Sequence, residues 1–206
     1  MRTIRRSGEF ELEIKRSRFL CALSRADSEE GAREFIAQRR RLHHDARHHC
    51  SAYVLDADGR TQRSNDDGEP AGTAGAPMLE VLRHHEITGA VAVVSRYFGG
   101  TLLGAGGLVR AYGGAVSAAL EHVGLAELRP MRLVSTTAEH SLAGRLENDL
   151  RSQGFSVSDV DYGERVRFVL RIPEAEVGAF ERWLAETTGG AAEPVRGELV
   201  HAEVPL

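Results

Sequence analysis

Residues 90–123 decide the fold: AVAVVSRYFGG (Ala90–Gly100) runs into TLLGAGGLVRAYGGAVSAALEHV (Thr101–Val123). Ala90–Val94 is a continuous apolar run, which predicts a strand covered on both faces. The next stretch holds seven of the chain's 22 glycines: Gly99, Gly100, Gly104, Gly106, Gly107, Gly113 and Gly114. A helical pattern then runs through Val123. A strand that turns through a glycine loop into a helix gathers backbone N–H groups and a helix N-terminus at one place, an anion-binding geometry. Arg96 and Arg110 bracket that loop. Gly99 to Gly107 are therefore expected to form a binding loop. Gly113 and Gly114, with Ala111, Ala115, Ala118 and Ala119, are expected to pack closely on the sheet. Named nucleotide loops fit poorly. Lys15 is the only lysine, so no Walker loop exists, and a GxGxxG frame from Gly104 puts Val109 at its third glycine.

Towards the N-terminus, Glu9–Ile14 (EFELEI) alternates acidic and apolar residues, the period of a half-buried strand, and Arg18–Leu23 reads as a second. Ser28 can cap a helix ending in the basic QRRRLHH. Cys50–Leu55 and Arg60–Ser64 flank DADG (Asp56–Gly59), a hairpin signal. NDDGEPAGTAGAP is a polar loop, and Pro77 is expected to open a short helix. Past Val123 the pattern restarts. Leu133–Ala138 reads as a strand, and Ser141–Gln153 as a helix burying Leu142, Leu146 and Leu150. A strand pair surrounds DYGE (Asp161–Glu164), Pro173 opens a helix through Phe180, Trp183 and Leu184, and Ala191–Val204 supplies a last strand. That is βαββαβ, the ferredoxin-like order. The expected fold class is α+β, in two domains, 1–128 and 131–206, with Arg129-Pro130 as the linker.

The composition is that of a soluble globular protein. No apolar run approaches the roughly 20 residues of a membrane helix. The start, MRTIRRSGEF, lacks an apolar secretory core, so a cytoplasmic protein with reduced thiols at Cys21 and Cys50 is expected. The net charge of −4 argues against wholesale nucleic-acid binding by a basic surface. Residues 1–128 carry 17 basic and 17 acidic residues, while 129–206 carry 9 and 13. An anion-binding face belongs in the first part, as a local patch.

Four groups could carry chemistry. Asp66, Asp67 and Glu69 flank Gly68 in NDDGEP. They could hold Mg²⁺, act as acid and base, shape a turn, or pair with Arg96 or Arg110 and pin the glycine loop, the reading preferred here. His43, His44, His48 and His49 invite zinc, but fixed tetrahedral spacing is lacking and a polar turn fits better. Cys50, Ser51 and Ser95 are nucleophile types without a nucleophile elbow around them. Arg39, Arg40 and Arg41, with Arg47 and His43, are the densest basic run, suited to phosphate contacts. Tyr97 is the aromatic expected at the surface to stack on a base, with Phe98 expected in the core. No metal or cofactor is expected.

The stretches RYFGGTLLGAGGLVRAYGGAV, SNDDGEPAGTAGAPMLEVL and DARHHCSAYVL occur in the order and spacing of the IMPACT/YigZ family, and residues Ser17 to about Ala119 closely resemble it. His48-His49-Cys50 stands where the family often has His-Asn-Cys, and Ala76 where a lysine is usual. The resemblance implies a first domain like the second domain of ribosomal protein S5 and domain IV of elongation factor G. It implies a ferredoxin-like second domain similar to domain V of that factor. It also implies regulation of translation, as by the family's eukaryotic members, and no enzymatic activity. The expectation is a non-enzymatic RNA- or ribosome-associated protein, with the site at Arg96, Tyr97, the Gly99–Gly107 loop, Arg110 and Arg39–Arg41. Asp66–Glu69 and His48 would support the loop. Two alternatives remain: an enzyme acting on a small phosphorylated substrate, and a module binding a protein partner in translation or stress response.

Overall fold

The structure, a computed structural model, describes residues 1–56 and 59–205. It is mixed α and β, with two sheets and five α-helices among the described residues. The chain runs β1 (Arg2–Ile4), β2 (Gly8–Ile14), β3 (Ser17–Arg25), α1 (Glu29–Leu42), β4 (His48–Val54), β5 (Gln62–Asn65), α2 (Gly75–His84), β6 (Ala90–Tyr97) and α3 (Ala105–Val123). It continues through β7 (Leu125–Ala138), α4 (His140–Ser152), β8 (Ser156–Tyr162), β9 (Val166–Pro173), a 3-10 turn at Glu174–Glu176, α5 (Val177–Thr188) and β10 (Pro194–Pro205). The chain divides into two compact units, Met1–Glu127 with the chain end from Val204, and Leu128–Glu203.

The sheet of the first unit has the order β2-β3-β6-β4-β5, antiparallel throughout. Its centre, β6, explains the unbroken apolar run. Ala90, Ala92 and Val94 face the cluster that holds Leu82, Tyr112 and Leu120, on α2 and α3. Val91 and Val93 face Ala32, Phe35 and Ile36 of α1. Alternate residues of one strand therefore enter two cores, and neither face tolerates a polar side chain. At the edge, Phe10, Leu12 and Ile14 of β2 pack on the larger core while the intervening glutamates stay exposed. Ser28 caps α1, its Oγ accepting from the Gly31 N–H at 3.2 Å.

Two boundaries differ from expectation. Helix α2 starts at Gly75, ahead of Pro77, because the Asp66 carboxylate satisfies the N–H groups of Ala74 and Gly75 from a distance. Arg129-Pro130 lies inside β7 and is no loop. Residues 125–127 of β7 pair with β1 and 131–138 pair with β9, so Pro130, which has no N–H, falls between the two ladders. The hairpin signal at Asp56–Gly59 has its central residues, Ala57 and Asp58, outside the described set.

In the second unit, Val166, Phe168, Leu170 and Ile172 of β9 face α4 and α5, while Arg167 and Arg171 point away. Phe155 stacks edge-on with Phe180, centroids 5.0 Å apart, and Trp183 joins them. The buried face of α4 is Ala143, Leu146 and Leu150. Leu142, expected inside, is 48% exposed. The i, i+3, i+7 set follows the 3.6-residue turn more closely than strict steps of four, which drift off the face.

Candidate functional site

The polar loop and the glycine loop meet at one end of the first sheet, where β4 and β6 stop. Cross-strand pairing places His48 opposite Arg96, on the face towards α3, and His49 opposite Ser95, on the face towards α1. Everything at the site hangs from these two rows.

The polar loop is fixed by its own carboxylates. Asp66 Oδ1 accepts from Ala74 N–H (3.0 Å) and Gly75 N–H (2.8 Å), and Oδ2 accepts from Gly72 N–H (2.8 Å). Burial pushes this carboxyl up, but the three N–H groups more than offset it, and it titrates below its ordinary value. Asp67 sits at φ +46° and Gly68 at +84°. Asp67 pairs with Arg40 and accepts the His49 N–H at 2.6 Å. Its carbonyl accepts from His48 Nδ1 at 2.9 Å, so that nitrogen carries the proton and Nε2 is the acceptor of the neutral ring. The carboxylates are thus committed to capping and turn formation.

Glu69 turns inward. Its Oε1 accepts from Arg96 Nη1 at 2.6 Å and from the Tyr112 hydroxyl at 2.7 Å. The Arg96 and Glu69 side chains are 7% and 4% exposed. Arg96 also lies over the Phe19 ring at 5.4 Å and the Phe98 ring at 5.7 Å. Of the pairs the sequence left open, Glu69 takes Arg96; Asp67 instead takes Arg40, and Arg110 takes no carboxylate among the described residues. Burial, then Cys50 and Glu69, raise the Tyr112 phenol far above its ordinary value. Burial also pushes the Cys50 thiol up to about 12. Its Sγ–H donates to the Asp66 carbonyl, and so buried a thiol is inert. His49 is buried against Ser95 Oγ (3.0 Å) and titrates below its ordinary value through burial.

Arg39 does not join a solvent-facing basic run. It is 9% exposed, pairs with Glu9, and contacts His43 Nε2 at 2.7 Å. Arginine only donates, so His43 Nε2 accepts and Nδ1 holds the proton of the neutral ring. Nδ1 meets the Tyr97 hydroxyl at 3.0 Å, which donates to Asp45 Oδ1 at 3.0 Å. Tyr97, expected at the surface, is half-buried in this chain beneath Arg18 (5.2 Å). Burial and Asp45 hold its phenol above the ordinary value. Phe98, expected in the core, is 43% exposed, because β6 ends at Tyr97 and its neighbour leaves the sheet. Arg41 is exposed, and Arg40 leans on Asp67.

The glycine loop is open. Gly100, Gly104 and Gly106 are exposed, and Gly99 and Gly107 half-buried. Gly99 is required by close approach: a Cβ there would fall 2.1 Å from the Arg16 carbonyl carbon. Gly104 has φ +72° at the start of α3. The small face at Gly113 and Gly114 is looser than expected, since added methyls would meet their neighbours at 3.6 and 3.8 Å, ordinary contact. Helix α3 begins with no side-chain cap and no acidic residue in its first turn. A side chain at Gly106 would meet Arg110 Nη1 at 3.7 Å, so that guanidinium lies back along the same turn.

Sequence reading missed one contributor, the β2–β3 turn. Lys15 and Arg16 form the β2–β3 turn at φ +48° and +67°, without the glycine or asparagine that signals such a bend. Gly99 N–H donates to Ser17 Oγ (3.1 Å), and Arg16 Nη2 to Thr101 Oγ1 (3.4 Å), docking the glycine loop on this turn. Arg47 lies 5.9 Å from the Phe98 ring and has no carboxylate partner among the described residues. Both loops line a cleft of about 460 Å³ with Arg47, His48, Glu69, Phe98 and Gly104 among its walls. No group of three or more His, Cys, Asp and Glu is placed to hold a metal ion among the described residues. No described helix is long and apolar enough to cross a membrane.

Residues 15–120 match the model of the Impact N-terminal domain, and residues 136–191 match a domain of unknown function, DUF1949. The chain is 46% identical over 201 residues to the IMPACT family member YvyE of Bacillus subtilis, covering 98% of this chain and 93% of that one. It is 41% identical over 184 residues to the IMPACT family member YigZ of Escherichia coli, covering 88% and 90%. It is similar to a solved structure described as that of a hypothetical protein, with a TM-score of 0.59, 36% identity and coverage of 96% and 97%. Matched across both of its units, the chain belongs to the IMPACT family.

Proposed function

We propose that this protein is a non-enzymatic RNA- or ribosome-associated regulator of translation. In this reading residues 1–128 form a domain like the second domain of ribosomal protein S5, and residues 131–206 a ferredoxin-like domain. Family membership supports the translation part, since the resemblance implies regulators of translation. The carrying observation is the start of α3. Nineteen aligned peptides end there without a side-chain cap or an acidic residue, and Arg110 adds a full positive charge over the first turn. A helix N-terminus carries roughly half a positive charge, so this end is complementary to phosphate. Lys15 and Arg16, on the turn that holds the glycine loop, and Arg47, in the cleft wall, are exposed and extend the positive rim.

Arg96 serves as a buried support, paired to Glu69. Tyr97, Arg39 and Arg40 hold the surrounding loops. The test is co-sedimentation with ribosomes and ribosomal RNA across a salt series. Association should weaken steeply with salt, and Arg110→Ala should lower the slope of log affinity against log salt by about 1. Association that ignores salt, or none at low salt, overturns the reading.

The concave cleft, with Glu69 in its wall, supports a second reading, an enzyme for a small phosphorylated substrate. It requires Glu69 to release Arg96 and Tyr112 before serving as acid or base, which makes it the weaker of the two.

A further inference from the structure

We propose that the cleft between the two loops takes one unstacked nucleotide of single-stranded RNA, its base on the Phe98 ring and its phosphate at the start of α3. This rests on the RNA reading above and names the unit recognised.

Phe98 is 43% exposed, although nothing in the fold prevents a polar residue where the strand has ended. Arg47 and Arg96 flank its ring at 5.9 and 5.7 Å. An exposed aromatic face between two guanidinium groups suits a base, which offers a π-face and carries a phosphate beside it. Arg96 forms a fixed part of the wall. It is 6% exposed, lines the cleft, and its Nε–H has no hydrogen-bond partner. Its Nη1 is held by Glu69, which fixes the guanidinium beside the Phe98 ring.

The far wall is Gly104 and Ala105, where α3 presents its free N–H groups, and Pro70 and Leu103 complete an apolar lining. Among the described residues Glu69 is the single carboxylate lining the cleft, and its Oε1 is already held by Arg96 and Tyr112. A volume of about 460 Å³ lies within the roughly 300–1,000 Å³ of small-ligand sites. That holds one nucleotide and excludes a duplex, whose bases stay stacked. At its rim, Leu102 is 84% exposed, and nothing approaches within 4 Å of a Cβ on Gly100 or Gly104. A strand can leave the cleft across this open edge, which a free mononucleotide has no use for.

The test uses the full chain and a short single-stranded RNA carrying one 2-aminopurine, with the matching duplex and free AMP as controls. Binding should quench the probe, favour the single strand over the duplex, and leave AMP weaker by at least about tenfold. Phe98→Ala should lose about 5- to 150-fold in affinity with an unchanged salt slope. Arg47→Ala should lower the slope by about 1. Phe98→Tyr should bind like the native chain. Phe98→Leu keeps the apolar bulk without the ring, and should bind as weakly as Phe98→Ala while unfolding at the native temperature. Native affinity in Phe98→Leu, with single-stranded RNA still bound, overturns the stacking inference and leaves the RNA reading standing. Equal affinity for AMP overturns the strand as ligand. No RNA binding at low salt overturns the reading itself.

Discussion

Arg96 Nη1 donates to Glu69 Oε1 at 2.6 Å with both side chains less than a tenth exposed, and this pair ties the polar loop to the last turn of β6. Two charges so placed lean on each other. Removing one leaves the other buried without a counter-charge, at a cost of about 3–5 kcal/mol, whereas replacing both by apolar groups is often near neutral. Glu69→Ala and Arg96→Ala should each lower stability by that order. Glu69→Leu with Arg96→Met should lose far less than the sum of the single changes. Urea unfolding must be followed by tyrosine near-UV signals, because Tyr53, Tyr97 and Tyr112 lie in the first unit and the only tryptophan, Trp183, in the second. Strictly additive losses would refute the coupling.

Asp66 gives a prediction in pH. Its folded-state pKa is depressed, since three N–H groups outweigh its burial. A depressed carboxyl contributes stability that is present above its unfolded value, about 3.9, and lost as pH falls through the lower folded value. Asp66→Asn should therefore be less stable than the native chain above pH 5 by about 1–2 kcal/mol, with α2 losing its remote cap. The gap should close as the pH is lowered past the unfolded value. A gap of constant size down to pH 2 would contradict this account.

The strands were legible because burial writes a period. Phe10, Leu12 and Ile14 alternate with glutamates, and Ala90–Val94 does not alternate because each of its faces meets a separate core. What stayed hidden depends on partners distant in sequence. Lys15 and Arg16 adopt positive φ with no glycine or asparagine to announce it, held there by Gly99 and Thr101 some 85 residues on. Pro130 reads as a break, yet it sits in a strand between two ladders. The carboxylates of the polar loop could be named from sequence, but which arginine each would take depended on β4 and β6 lying side by side. Phe98 and Tyr97 exchanged places because the end of β6 could not be set to the residue.

The glycines separate by environment. Gly99 carries the loop over the backbone of Arg16 and Ser17, where a Cβ would fall 2.1–2.4 Å from main-chain atoms. Main chain cannot yield as a flexible side chain does, so Gly99→Ala should destabilise by about 1–3 kcal/mol or more and detach the loop. Gly113 lies mid-helix with room for a methyl. Gly113→Ala should stabilise by about 0.5–1 kcal/mol through helix propensity alone. Thermal unfolding reads both, at about 2–4 °C per kcal/mol for a chain of this size. A destabilised Gly113→Ala would restore the close-packing role that the helix sequence suggests.

The start of α3 allows stability and binding to be moved in opposite directions. Ala105 is exposed in the first turn, which holds no acidic residue and has Arg110 lying along it. A carboxylate there meets the positive end of the helix and a nearby guanidinium. Such placement is worth about 0.3–1 kcal/mol at an exposed terminus. Ala105→Glu should therefore hold or raise the unfolding temperature. The same negative charge occupies the field that a phosphate would use, and its affinity for single-stranded RNA should fall about tenfold or more. Ala105→Gln, of equal size without the charge, should lose much less. High salt should shrink the difference between the two variants, since both effects are electrostatic. If Glu and Gln weaken binding equally, steric blockage of the cleft and not charge explains the loss. If neither changes binding, the phosphate seat is not at this helix end.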